Sequence, residues 1–292
     1  MRHYDLIQKV VNILDDNDFD ILTYFSSCVD IAAQKKRLKL LIKVLENIDA
    51  MKKEQADDLK KLSAVLYAYP LLIGDHSKKE KLQNGVLYER YNISCLNPET
   101  FEETLTGAYP EKTYNRGRLI VEVNGEALKQ ARIRKGLSME ELARILNASK
   151  ESIYYYEKNY MRMRYEIAER LKRILSSDIV TKKKPFIRPK VSLDKPSNEI
   201  ANKLLIFDFD VYAFSKLQFN LGARDDKNSI FIQTEIPANT EKMKQLSNFF
   251  NALFAIVHEN SKYDNLPVIS PFEFKTARTK EELIKIIRER SN

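Results

Sequence analysis

Two cysteines among 292 residues are too few for a disulfide scaffold. Cys28 and Cys95 also lack the spacing of a zinc site, so both read as small buried apolar side chains. Glycine occurs only 7 times, which disfavours a low-complexity or disordered chain and suits a helix-rich one. No apolar run reaches the roughly 18 residues a membrane span requires. The start, Met1 to Asp5, leads into an amphipathic helix without a signal-peptide core. The expectation is a cytoplasmic protein with no membrane partner.

An excess of one charge sign is missing from most of the chain. The net charge is +8, from 49 Lys+Arg and 41 Asp+Glu, yet residues 121 to 190 alone hold 17 basic and 9 acidic residues, leaving 32 of each elsewhere. A basic block between neutral flanks suits a polyphosphate partner, because each neutralised phosphate releases a condensed counterion. A merely solvated surface is the equal alternative.

At 43% hydrophobic residues the chain can bury sizeable cores, and its length favours several of them. The fold class expected is multidomain α+β and α/β. A small α/β domain occupies 1–115, an all-helical domain 120–180, a basic proline-containing linker 181–195, and a second α/β domain 196–292, beginning near Pro196. The first segment reads as helix Leu6 to Leu14, strands Ile21 to Phe25, Val29 to Ala33 and Leu38 to Val44, helix Gln55 to Tyr67, then strands near Leu71 to Ile73 and Val86 to Tyr88. An ungapped offset of 190 lays Asp18-Phe19-Asp20 on Asp208-Phe209-Asp210 and Leu40-Leu41-Ile42 on Ile230-Phe231-Ile232, so the last segment reads as a repeat of the first.

The centre carries helix punctuation. Gly136 stands where a left-handed cap stops the helix from Gly125. Ser138 with Glu141 makes a capping box for a second helix, whose stripe is Leu142, Ala143 and Leu146. Asn147 suits a sharp turn, and Ser149 caps a third helix, Lys150 to Glu157, with Ile153 and Tyr156 facing inward. Lys150, Glu151, Ser152 and Tyr155 are left outward, on the face a recognition helix offers to base edges. A fourth helix, Glu166 to Leu175, should close the bundle with Ile167, Leu171 and Ile174. Lys158, Arg162, Arg164, Lys172 and Arg173 follow as candidate backbone contacts. The alternative is a fold used for protein contact or a plain four-helix core, in which the tyrosine run 154–156 is mostly packing, since aromatics serve cores more often than ligands.

The anchors Gly136-Leu137-Ser138, Glu141-Leu142-Ala143, Ser152-Ile153 and Tyr156-Glu157 resemble the Cro and phage-repressor (XRE, lambda repressor-like) helix-turn-helix family. The resemblance implies double-stranded DNA as partner, contacts from Ser138, Met139 and Ser149 beside those outward residues, and a structural ion pair of Arg132 with Glu157. Met139 replaces the family's phosphate-contacting Gln.

The element order of residues 3 to 73 resembles the restriction-endonuclease-like fold, whose enzymes hold Mg²⁺ with an Asp and a Glu-x-Lys. Asp30 and Lys43 fall at two of those places as vestigial candidates, but Leu41 occupies the Glu position. The repeat puts Asn220, Phe231 and Gln233 at the same three places. Lys43 reads as readily as a satisfied structural lysine. No catalysis, metal or cofactor is expected.

The whole layout is similar to an archaeal family of helix-turn-helix transcriptional regulators, through Leu41-Ile42-Lys43-Val44, Asn47-Ile48-Asp49, Glu54-Gln55-Ala56 and Val86-Leu87-Tyr88-Glu89-Arg90-Tyr91. It implies an archaeal source and a transcriptional regulator; with the helix from Lys150 reading bases, the expectation is a sequence-preferring regulator, a homodimer, with the transcription machinery as a further partner. The alternatives are a Mg²⁺-dependent nuclease using Asp30 and Lys43 with Glu46 or Asp49, a structure-specific nucleic-acid-binding protein built on the nuclease-like domains, and a scaffold that binds RNA or the transcription machinery.

Overall fold

A computed structural model describes residues 2–193, 198–235, 240–259 and 267–291. Pro196 lies outside them. The first unit runs α1 (His3–Asp16), β1 (Asp20–Thr23), β2 (Ile31–Lys35), β3 (Leu38–Asn47), α2 (Lys53–Leu66), β4 (Tyr69–His76), β5 (Val86–Arg90), β6 (Ile93–Leu96) and α3 (Pro98–Leu105). Strands β1 to β3 form an antiparallel meander, and β3, β4 and β6 are parallel. Leu40, Leu41 and Ile42 of β3 are all fully buried, because α1 and α3 cover one face of the sheet and α2 the other. Burial pushes the Cys28 thiol up to about 12 and raises that of Cys95 as well.

The sheet does not stop there. β5 pairs with β7 (Lys112–Asn115), β7 with β8 (Arg118–Val123), and β8 with both β9 (Met163–Arg164) and β10 (Val180–Thr181). These short strands thread through four helices, α4 (Gly125–Arg134), α5 (Met139–Leu146), α6 (Lys150–Glu157) and α7 (Tyr165–Leu175). The central unit is therefore not all-α. Val121 of β8 and Met163 of β9 sit in the same core as Leu128, Leu142, Ile153 and Leu171, since one helical layer leaves an apolar face that the strands cover. The closing face of α7 is Ala168, Leu171 and Leu175, with Ile167 and Ile174 at its margins.

The last unit runs α8 (Glu199–Ile206), β11 (Asp210–Ala213), β12 (Leu221–Arg224), β13 (Ser229–Gln233), α9 (Thr240–Phe249), β14 (Leu253–Val257), β15 (Val268–Ile269), α10 (Pro271–Thr276) and α11 (Lys280–Ser291). Its sheet order is β11-β12-β13-β14-β15. The register repeats that of the first unit at the 190-residue offset: Ile31 opposes Ile42, and Leu221 opposes Ile232. Asp18 and Asp208 both take left-handed backbone, with φ of 53° and 58°.

The two α/β units exchange contacts reciprocally. Gln34 Nε2 donates to Phe249 O at 2.9 Å and Lys39 Nζ to Phe250 O at 3.4 Å, at the C-terminal end of α9. In return Arg224 Nη1 donates to Ala64 O at 3.0 Å and Ser229 Oγ to Val65 O at 2.6 Å, at the end of α2. Gln34 and Arg224, like Lys39 and Ser229, are equivalent under the repeat offset. Each strand pair thus satisfies carbonyls that its neighbour's helix leaves open. Asp58 of α2 also accepts the backbone N–H groups of Ser215, Lys216 and Leu217, and Leu59, Leu62 and Val65 share one core with Phe219, Phe231 and Leu246. The basic segment after β10 lies against the first unit: Lys183 N donates to Pro110 O at 2.8 Å, and the Arg188 guanidinium stacks on Tyr67 and Tyr69.

Asp225, in the β12–β13 turn, anchors α11 through Lys280 at 2.8 Å. Partial burial raises its carboxyl, but hydrogen bonds from Lys280, from the N–H groups of Lys227 and Asn228 and from the Asn228 side chain outweigh that and hold it at about 2. A depressed carboxyl stabilises the fold above its unfolded value and stops doing so as pH falls through its folded value. About 2 kcal/mol is therefore expected to vanish between roughly pH 4 and pH 2. Urea unfolding of wild type and Asp225→Asn checks this: the stability gap should be present at neutral pH and close near pH 2.

Candidate nucleic-acid interface

Local hydrogen bonding sets the helix angles. Asn124 caps α4 by accepting from Ala127 N at 3.0 Å. At its other end Gly136 takes φ +67°, which costs a glycine nothing, while Leu137 N bonds Arg132 O and Gly136 N bonds Ile133 O. Ser138 and Glu141 then close a capping box at 3.1 and 2.7 Å, and the Ser138 N–H holds the exposed Glu141 carboxyl below the usual carboxylate range. Asn147 turns the chain at φ 55°, and Ser149 Oγ accepts from Ser152 N at 3.1 Å to start α6.

Arg132 locks α4 to the last turn of α6. Its Nε meets Glu157 Oε1 at 2.6 Å and Nη2 meets Oε2 at 3.2 Å, while Nη1 donates to Leu137 O at 2.8 Å. The side chains are 8% and 3% exposed, so a charge left there alone would be stranded away from water.

With Ile153, Tyr156 and Glu157 turned inward, α6 presents Lys150, Glu151, Tyr154, Tyr155 and Lys158 to solvent, and Ser152 is half-buried. Neither α/β unit covers this face. Ser138, Ser149, Arg162 and Arg164 are exposed around it, but the hydroxyls of Ser138 and Ser149 already serve as caps. Met139 is half-buried against the helical core. Lys150 bonds Glu140 of α5 at 2.5 Å, which raises the lysine and lowers the carboxyl. Both partners are exposed, so the pair opens at little cost to a competing anion. Arg164 sits on strand β9 opposite Ile120, not on a helix. Lys172 differs from the sequence reading: it is engaged by Glu111 at 3.1 Å and Asp178 at 3.4 Å and holds α7 to the segment before β7.

The sequence reading singled out Tyr155 and missed its neighbours. Tyr154, Tyr155 and Tyr160 form one exposed aromatic group with centroids 5.8 to 6.5 Å apart, and Lys158 lies over Tyr154. Four-residue spacing from Lys150 and Lys158 could have found Tyr154. Tyr160 follows the helix, where no periodicity applies.

The nuclease-type positions form a closed pair. Lys43 Nζ donates to Asp30 Oδ1 at 2.9 Å and to Ser26 O at 3.2 Å, and Asp30 Oδ2 accepts from Val44 N at 2.7 Å. Both residues are buried, and Leu41 is fully enclosed in the core. Asp49 is bound elsewhere, by Arg90 Nε at 2.7 Å and Lys78 N at 2.8 Å. Among the described residues no group of three or more His, Cys, Asp or Glu side chains could hold a metal. Mg²⁺ needs several oxygen ligands, and this donor set does not fit it. In the last unit the equivalent Asn220 accepts through Oδ1 from Thr234 N and Oγ1, at 2.8 and 2.9 Å.

A family model described as a PD-(D/E)XK superfamily domain matches residues 3–110. Three archaeal relatives, each called "Putative HTH-type transcriptional regulatory protein", align along nearly the full length. Thermococcus gammatolerans has one 32% identical over 98% of this chain and 96% of its own. That of Thermococcus kodakarensis is 30% identical over 98% and 96%, and that of Methanocaldococcus jannaschii 29% over 97% and 96%. No solved structure gives a significant match. No helix among the described residues is long and apolar enough to cross a membrane.

Proposed function

The chain belongs to the archaeal family whose members bear that regulator name, and from this premise we propose that it regulates transcription by binding double-stranded DNA in a sequence-preferring way. In this reading α4 to α7 are an XRE-type helix-turn-helix and α6 is its recognition helix. The observation that carries the reading is the outward face of α6, with Lys150, Glu151, Tyr154, Tyr155 and Lys158 open to solvent on a helix whose angle is set by the buried Arg132–Glu157 pair. Such a helix fits the major groove, where side chains near its N-terminus meet base edges. Arg162 and Arg164 lie beside it to meet phosphates, and the first turns of α5 and α6, which follow the caps Ser138 and Ser149, offer helix N-termini.

Both α/β units act as supports in this reading, and the last is a second, degenerate copy of the nuclease-like fold. Non-catalytic roles are supported by the closed Asp30–Lys43 pair and by Asn220 and Gln233 at the same places in the repeat. A homodimer would present two copies of α6 to successive major grooves about 34 Å apart.

Selection of bound fragments from genomic DNA, then titration of the best fragment, tests the proposal. Lys150→Ala with Tyr155→Ala is expected to weaken binding to that fragment at least about tenfold, from lost contacts worth about 1–3 kcal/mol each, with a smaller loss on unrelated duplex. Equal affinity of variant and wild type for the selected fragment would refute it.

A further inference from the structure

A second basic surface lies off the helical unit. The connection after β4 supplies Lys78 and Lys79, β5 supplies Arg90, the tip of the β7–β8 hairpin supplies Arg116, and the segment after α6 supplies Arg162. Together they line an open groove of about 600 Å³. Its carboxylates are Asp49, already committed to Arg90 and the Lys78 N–H, and the exposed Glu89. Lys79, Arg116 and Arg162 are exposed and form no ion pair among the described residues. The hairpin tip is built to project: Asn115 opposes Arg118, and the two residues between take φ of 49° and 82°, the twist that a tight two-residue turn needs.

Position gives this charge its meaning. Arg162 also lines an adjoining recess of about 570 Å³ with Asn159 and Tyr160, which follow α6 in the chain, and with Glu122, which is paired with Lys183. Arg162 is thus common to the recess beside Asn159 and Tyr160 and to the groove that holds Lys78, Lys79 and Arg116. The groove is polar and open, with no enclosed apolar pocket for a small molecule, which suits a backbone of repeated phosphates more than a discrete ligand.

We propose that this groove seats the phosphodiester backbone of the same duplex that α6 reads, outside the base pairs α6 contacts. The proposal rests on α6 being the recognition helix. It makes the first α/β unit an electrostatic clamp that lengthens the footprint and adds affinity without sequence information.

The test uses the full chain and two fluorescein-labelled mixed-sequence duplexes, of about 10 and about 30 base pairs, or one and three helical turns. The variant is Lys79→Gln with Arg116→Asn, Asn being tolerant of the left-handed backbone at position 116. On the long duplex its affinity should fall about tenfold near 0.1 M salt, and the slope of log affinity against log salt should flatten by about 2. On the short duplex variant and wild type should agree. Lys79→Gln alone, in an exposed turn, should flatten the slope by about 1. If wild type binds and neither variant changes affinity or slope on the long duplex, the groove proposal falls while the α6 reading stands. An equal loss on both duplexes also overturns it, by placing these cations within the α6 footprint. Failure of wild type to bind either duplex overturns the α6 reading and the groove with it.

Discussion

Arg132→Ala is expected to destabilise the helical unit by about 3–5 kcal/mol and to abolish duplex binding at micromolar protein. The size follows from what stays behind. Glu157, with its side chain 3% exposed, loses both guanidinium donors and stands as an unpaired charge in an apolar core, and Leu137 O loses its partner as well. Binding fails because α6 ends at Glu157, and without the clamp its angle to α4 is no longer held. Glu157→Gln should cost less, since an amide still accepts from Arg132. A double replacement, Arg132→Met with Glu157→Leu, removes both charges and should recover most of the stability. Urea unfolding followed by circular dichroism, with duplex titration alongside, checks each step. Full binding by Arg132→Ala would show that α6 is positioned by packing alone.

The second large effect concerns the nuclease-type pair. Lys43→Met alone is expected to cost about 3–5 kcal/mol, because Asp30 remains buried with no counter-charge. Lys43→Met with Asp30→Asn should regain most of it. The last unit carries a neutral side chain at the Asp30 place: Asn220 Oδ1 accepts from Thr234 N and Oγ1. An Asn at position 30 keeps the Val44 N–H bond through its carbonyl. If Asp30 and Lys43 instead served cleavage, wild type would cut duplex DNA with Mg²⁺ and Asp30→Asn would stop it. The expected result is uncut DNA from both, with the whole effect of these residues read in unfolding curves.

Several features were legible because their causes are local. The caps at Ser138, Asn147 and Ser149 depend on hydrogen bonds that span three or four residues, so spacing alone discloses them. The repeat was legible because β-pairing imposes a period of two on the side chains, and identical register in two copies preserves the same apolar positions. Burial of Leu40 to Ile42 followed from an uninterrupted apolar run. The strands β7, β8, β9 and β10 were not legible, being two to six residues long and flanked by helices whose pattern dominated the reading. Tyr160 was hidden because it lies past the end of α6, where periodicity gives no face, and the engagement of Lys172 because its partner Glu111 is 61 residues away.

By itself the amino-acid order determined where the helices of the central unit begin and end, that its third helix carries a polar outer face, and that the strand pattern of the first segment recurs 190 residues on, with Asn220 and Gln233 at the places of Asp30 and Lys43. Those properties arise from periodicity and near-neighbour hydrogen bonds. Only the tertiary structure decided that one sheet runs from the first unit into the helical unit, that the copies cap each other's helix ends, and that Lys79, Arg116 and Arg162 share one groove. Contacts between residues tens to hundreds of positions apart are chosen by which apolar faces and open backbone groups find each other, and no local pattern encodes that choice.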